Sequence, residues 1–416
     1  MRRSRPLTQC AFLPMIRGMP AAVEPRYDPY DVAINADPYP HWKRLRDEAP
    51  LYYDEQHDFY ALSRHDDVER ALVSWGVFSS ARSPILELIQ ANIEFPAGIV
   101  LFEDPPIHDL HRGLLSRVFT PRRMTALEPQ IRELCAQALD PLVGTGELDF
   151  ITDLGKFMPM RVIGMLLGIP EEDQEAIRDR ADANIRVRAG EKMHVGEAQL
   201  DIGIEMFTEY IEWRADHPSD DLMTALLTAE FEDELGETRR LTREEVLTYV
   251  TVVAGAGNET TTRLIGWAGK VLADFPDERR RLVEDPSLIP NAIEELLRFE
   301  PPAPHAARYV TQDLEYYGRT VPAGSAMLLL MGSANRDERK FDDPDRYDVT
   351  REVRGHVAFG FGLHYCLGAA LARLEGRIAL EEVLKRFPEW TVDTDRAQLS
   401  PTSTVRGWET LPVSIP

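Results

Sequence analysis

Phe359-Gly360-Phe361-Gly362-Leu363-His364-Tyr365-Cys366-Leu367-Gly368 sets one cysteine after a glycine-rich turn and before a clean helical run, Ala369 to Leu384. Glycines at 360, 362 and 368 let the backbone bend sharply and come within contact of a flat ligand. A thiolate just ahead of a helix N-terminus is stabilised as an anion by the partial positive charge of that helix. Nearby amide N–H groups can also donate to the sulfur and tune its electron density. A lone cysteine on a glycine turn would be a buried structural residue. The filled pattern Phe-x-x-Gly-x-His-x-Cys-x-Gly asks for a more specific explanation.

The chain can bury a large core and enclose a cofactor, being 416 residues long and 44% hydrophobic. Length alone suggests two or three domains, but no long Gly/Ser linker and no internal repeat divides it, so one large domain is expected. Cys10, Cys135 and Cys366 lie far apart and form no C-x-x-C pair. That argues against a disulfide framework or structural zinc and fits a reducing cytosol. A net charge of −23 argues against nucleic-acid or anionic-membrane binding. No uninterrupted apolar run reaches the roughly 20 residues of a spanning helix. Met1 to Met19 is basic, mildly apolar and broken by Pro6 and Pro14, as in a disordered extension or an early start. A soluble, cytoplasmic monomer is expected.

Apolar periodicity predicts helices over Asp37 to Glu48, Asp66 to Val73, most of Pro121 to Ala229, and Leu288 to Phe299. The longest runs from Thr242 to about Phe275 and is apolar nearly all round at Val250 to Ala256, as a helix through the core would be. Strands are predicted at Leu51-Tyr52-Tyr53 and Phe59 to Leu62, then at Ala307 to Val310, Leu314 to Tyr317 and Ala326 to Met331. Two more are expected near Trp390 to Val392 and Leu411 to Ser414. Ser79 to Phe102 reads as irregular, and the polar connection Arg186 to Gly196 as mobile. Within the long helix, Ala256-Gly257-Asn258-Glu259-Thr260-Thr261 sets a carboxylate beside an alcohol. Gly257 weakens the helix by about 1 kcal/mol relative to alanine and a Thr hydroxyl can disturb the i−4 bond, which together allow a local bulge there.

The cysteine loop resembles the haem-binding loop of the cytochromes P450, and the resemblance extends in family order from Ala36 to the C-terminus. It implies the P450 fold: mainly α with small β-sheets (α+β), a triangular, helix-rich single domain over 36–416, after a poorly ordered extension over 1–35. By the resemblance Cys366 is the axial iron ligand of haem b, with Phe359, Gly360 and Ala256 among the cofactor-contacting positions. His108 and Arg112, which share a helix face at i, i+4, together with Arg308 and His364, would hold the haem propionates. His356 is a weaker match. Thr260 would be the alcohol and Glu259 the acid that organise protons for splitting dioxygen. Glu295-Leu296-Leu297-Arg298 and Pro344-Asp345-Arg346-Tyr347 imply a buried Glu295–Arg298–Arg346 network, with Tyr347 where Phe is frequent.

The implied activity is that of a haem-thiolate monooxygenase, which uses O2 to hydroxylate a hydrophobic small molecule: a sterol, a terpenoid, a fatty-acid-like chain or an aromatic. No flavin- or nicotinamide-binding segment remains outside this domain, so electrons are expected from a ferredoxin and an NAD(P)H-dependent ferredoxin reductase. Arg112, Arg117, Arg122, Arg123, Arg373 and Arg377 are expected to form the docking patch for an acidic ferredoxin. Two alternatives are a hydrogen-peroxide-dependent peroxygenase, against which Glu259 and Thr260 argue, and a non-catalytic haem-thiolate sensor. Pro84 to Val100, Arg186 to Gly196 and Ala303 to Ala307 are expected to line the entrance. Ile85, Leu86, Ile89 and Val100 would face an apolar guest, and Arg186, Arg188 or His305 could meet an acidic tail.

Overall fold

The computed structural model describes residues 24–93, 95, 98–185, 190–192, 207–233, 236–401 and 404–416. Most of the expected connection at 186–196, including Arg186 and Arg188, and the first 23 residues lie outside the described residues. The helices that position the site are α1 (Ile107–Ser116), α2 (Met158–Leu167), α3 (Arg243–Asp274), α4 (Ile289–Phe299) and α5 (Ala369–Arg386). Among the described residues no helix is long and apolar enough to cross a membrane.

Helix α3 is the axis of the core. It starts at a capping box: Glu245 N–H donates to Thr242 Oγ1 at 3.2 Å, and Thr242 N–H donates to Glu245 Oε2 at 2.7 Å. From there it packs against α2, α4 and α5. Gly257 allows the closest approach to α2, because a Cβ there would lie 2.4 Å from Ile163 Cδ1. The helix runs unbroken through Gly257 to Asp274. The threonine hydroxyls bond back along it, Thr260 to the Ala256 carbonyl at 3.0 Å and Thr261 to the Gly257 carbonyl at 3.3 Å.

A five-stranded sheet stands beside this helical body, built from β1 (Leu51–Asp54), β2 (Phe59–Leu62), β3 (Phe78–Ser79), β4 (Ala306–Val310) and β5 (Ala326–Leu329). Its order is β1-β2-β5-β4-β3; β5 runs parallel to β2, with Leu328 opposite Ala61, and the other pairs are antiparallel. A smaller sheet joins Thr391–Val392, Pro412–Ser414 and Glu147–Asp149. Glu147–Asp149 interrupts a stretch expected to be helical, and β6 (Trp408–Thr410) was not expected either. The 79–102 segment is less irregular than expected, since Leu86–Ala91 forms a short helix. Its Leu86 and Ile89 pack into a core cluster with Phe59 and Ala307, which removes them from the entrance.

The packed chain also begins earlier than Ala36. Tyr27, Tyr30 and Ile34 are buried in the same cluster, and Arg406 donates to the carbonyls of Asn35 and Ala36 at 2.7 and 3.2 Å. The Glu295 network is also repartnered. Arg298 grips Glu295 twice, at 2.7 and 2.8 Å, but the second arginine is Arg351, whose Nε lies 2.9 Å from Glu295 Oε1. Arg346 contributes only its carbonyl, to Arg298 and Arg351. Tyr347 is fully buried and donates from its hydroxyl to the Ala292 carbonyl at 3.0 Å.

Candidate functional site

A cavity of about 360 Å³ lies between α3 and the cysteine loop. Cys366, Phe359, Gly360, His364, Arg112, Arg308, Ala256 and Thr260 all line it, so the fold brings eight of the ten expected site residues to one void. The loop is shaped by Gly360 and Gly362, at φ 70° and 73°, a region in which side chains are strained. Cys366 N–H donates to the Phe359 carbonyl at 2.8 Å, closing the turn, and Arg373 stacks 4.6 Å over the Phe359 ring. Cys366 is accessible because it opens onto the cavity, while the protein around the thiol pushes its pKa up. The Gly368 N–H and the charges of Arg112 and Arg373 oppose that rise. A bound cation at the sulfur would complete the stabilisation of the thiolate.

The expected carboxylate cradle gathers His108, Arg112, Arg308 and His364, with Asp109 Oδ1 3.1 Å from His108 Nδ1 and Asp104 near Arg308. The His108 and His364 rings lie 4.5 Å apart, and the Nε2 of each is buried without a hydrogen-bond partner among the described residues. Burial, then Arg308, His108 and Arg112, depress the His364 pKa to about 3. Burial likewise lowers Arg308 to about 10, with Asp104 only partly compensating. Arg112 donates to the Tyr365 carbonyl at 2.5 Å, and burial lowers its pKa too. Orphaned ring nitrogens and under-compensated guanidinium groups are what two carboxylates of a ligand would satisfy. The residues present therefore fit a planar dicarboxylate cofactor whose metal Cys366 would hold.

The cytochrome P450 family model matches residues 188–412, more than half of the chain, from before α3 through the cysteine loop. The chain belongs to the cytochrome P450 family. It is 40% identical over 393 residues to cytochrome P450 123 of Mycobacterium tuberculosis, covering 93% of this chain and 96% of that one. Identity is 34% over 403 residues to the vitamin D(3) 25-hydroxylase of Pseudonocardia autotrophica, covering 94% and 96%. The crystal structure of CYP109E1 from Bacillus megaterium in complex with testosterone matches with a TM-score of 0.83 at 29% identity, covering 92% and 99%. Family members are haem-thiolate monooxygenases that use O2 and redox partners, and the helix-rich P450 fold is the one seen here.

Not every expected residue in this P450 joins the cavity. Glu259 is buried but absent from its lining, and its carboxylate accepts from Arg263 Nη2 at 2.6 Å. His356 pairs with Glu294 at 3.1 Å rather than facing the void. Val100 and Pro84 do line the cavity, as do Ala303 and Ala306, whereas His305 does not. The arginine patch is largely neutralised: Arg373 pairs with Glu294 at 2.5 Å, Arg377 with Glu128 at 2.6 Å, and Arg123 with Asp220 at 2.7 Å. Arg117 and Arg122 are exposed.

Three features escaped the sequence reading. Glu375 of α5 lines the cavity fully buried, with neither carboxyl oxygen hydrogen-bonded among the described residues. Glu103 receives the Gly98 N–H at 2.6 Å and lies 2.8 Å from His111, fastening the start of α1. Arg263 was the one with a readable signal, an arginine four residues after Glu259 on the same helix.

Proposed function

We propose that this P450 hydroxylates a neutral, hydrophobic, ring-containing molecule such as a sterol or terpenoid, with haem b held by Cys366. The observation that carries this reading is the shared cavity. Cys366 and Thr260 line one void whose wall also includes the apolar Val100, Leu101, Val252, Val253, Ala303 and Ala306. Haem supplies oxygen activation when bound, and the protein supplies orientation, dryness and protons. His108, Arg112, Arg308 and His364 hold its carboxylates. Thr260 passes a proton into the cavity and Glu259 resupplies it, which stands against a peroxide-driven or purely sensory role. The names of relatives that act on vitamin D(3) or bind testosterone support a fused-ring guest.

Electrons come from a ferredoxin and its NAD(P)H-dependent reductase, docking on the cysteine side, and the enzyme works as a cytoplasmic monomer. Among the six arginines of that face, Arg117 and Arg122 keep the most exposed charge, with Arg123 held only by a highly exposed aspartate. Reversing Arg122 and Arg123 to glutamate should slow reduction several-fold at low ionic strength and less at high.

The deciding experiment is a titration of the purified holoenzyme with sterols, terpenoids and fatty acids, followed by the Soret band and by product analysis. A ring-containing neutral guest should shift the spin state and yield a hydroxylated product with ferredoxin and reductase. A preference for carboxylic acids would overturn the substrate class. Retention of the reduced carbon monoxide spectrum in Cys366→Ala would overturn the site.

A further inference from the structure

Val100 and Leu101, two residues of the cavity wall, belong to one short 3-10 turn, Val100–Phe102, whose N-cap Ile99 makes no side-chain bond. The turn's own hydrogen bond runs from Phe102 N–H to the Ile99 carbonyl at 2.7 Å. So short a piece does not hold its shape unaided. Glu103, directly after it, stands on a fixed base. The next residue, Asp104, accepts from the Ser80 N–H at 3.0 Å beside the sheet, and a hydrogen bond ties the Glu103 backbone to His364 of the cysteine loop. From that base the side chain turns back over the wall. Its Oε1 accepts from the Gly98 N–H at 2.6 Å, and its two oxygens lie 2.9 and 2.8 Å from His111 Nδ1 on α1. Glu103 and His111 are both buried, and the Tyr249 ring of α3 stands edge-on to His111 at 5.8 Å. Gly98 presents its N–H from a φ of 106°, which a side chain would resist.

One carboxyl group therefore ties both ends of the wall, Gly98 before Val100 and its own backbone after Phe102, and His111 pins that group to α1. We propose that Glu103 and His111 are positioning residues that fix the Val100–Leu101 wall and so select the guest by its shape. This rests on the void beside Cys366 being the guest site. Closing the short loop 98–103 on itself lowers the number of shapes the wall can take. Hydrogen bonds to a buried carboxyl group hold that closure more tightly than the turn holds itself. A guest large enough to press on Val100 and Leu101 meets a set contour. A guest too small to reach them is indifferent to the pair.

Two azoles of different size test this on the holoenzyme, imidazole and clotrimazole, each binding the iron through a ring nitrogen and moving the Soret band. Glu103→Ala should speed both binding and release of clotrimazole about tenfold and leave imidazole within about twofold of wild type, as loss of the bonds to the carboxyl group predicts. Amide hydrogen exchange over 98–102 should quicken by about tenfold in the same variant, with β5 unchanged. His111→Phe, which keeps a ring against Tyr249 but offers no N–H, should move both readouts the same way by less. Glu103→Gln, which keeps an oxygen for Gly98, should restore most of the wild-type behaviour. Unchanged clotrimazole rates in Glu103→Ala would mean a wall held by other contacts, and equal changes for both azoles a disturbed cofactor. Either result overturns the proposal and leaves the cavity reading standing, as does unchanged exchange over 98–102. A wild type whose Soret band ignores clotrimazole would remove the cavity reading and the proposal with it. If Glu103→Ala does not fold, His111→Phe decides by the same readouts, and wild-type clotrimazole rates there overturn the proposal.

Discussion

Two buried glutamate–arginine pairs sit on neighbouring helices, and they are finished differently. In α4, Glu295 and Arg298 are both wholly inaccessible, and every direction around the guanidinium is taken. Arg298 donates twice to Glu295, to the carbonyls of Asn335 and Pro344 at 2.9 Å each, and to that of Arg346 at 3.4 Å. In α3, the Glu259–Arg263 pair is buried at one end and continues at the other into Glu409 and Lys156, which water reaches. The same two side chains thus make a lock in one place and a latch in the other. Saturation by fixed backbone carbonyls leaves a charge pair nowhere to go. A chain of exchangeable side chains that ends at solvent leaves it able to move.

The largest effect should come from opening the lock. Arg298→Ala strands the Glu295 carboxylate in the core and should cost about 3–5 kcal/mol, read by denaturant unfolding of the holoenzyme. Removing Arg351 takes its bond to Glu295 and its donations to the carbonyls of Asp342, Asp343 and Arg346, and should cost about 1.5–3 kcal/mol. Arg346→Gln, which leaves the only group used at that position in place, should stay within about 0.5 kcal/mol of wild type. An Arg346 effect equal to that of Arg351 would dissolve the distinction between the two arginines. On the latch, Glu259→Gln should leave unfolding nearly unchanged but lower product formation by roughly a hundredfold, with electrons lost to peroxide or water. A folding defect there as large as that of Arg298→Ala would make both pairs structural.

The lock was half legible in the sequence. Glu295 and Arg298 share one helix, so their meeting follows from spacing alone. The third partner lies in an irregular stretch, where no periodicity says whether Arg346 or Arg351 turns inward; tertiary packing decides. The cysteine loop was legible because its glycines and cysteine form one local turn, and α3 because Thr242 caps a long apolar run. Glu147–Asp149 was missed since three residues paired to a strand some 260 residues away carry no local signature. Leu86–Ala91 was missed because its N-cap is Ile85, with no side-chain bond to announce a start. The direction in which Glu259 points was also hidden, being fixed by Arg263 and a hairpin that only the fold brings near.

Glu375 supplies the missing third case, a buried glutamate that no arginine among the described residues hydrogen-bonds. Burial alone drives its pKa well above the ordinary 4.5, so the carboxyl stays protonated where Glu295 and Glu259 are ion-paired. The sign of its contribution follows. Below pH 4.5 the group is neutral in both the folded and the unfolded chain, and its stability contribution is complete. As pH rises, the unfolded chain gains by ionising while the folded one does not, so that contribution is lost up to the folded pKa. Glu375→Gln, which keeps the shape and cannot ionise, should therefore melt no lower than wild type at neutral pH, and the variant's relative advantage should shrink as pH falls toward 4.5. The effect should be the smallest of the series, a few degrees at most. A variant that instead loses stability at neutral pH, as Glu295→Gln should, would mean that Glu375 is ionised and has a cation partner, and the three-way contrast among lock, latch and lone acid would reduce to two.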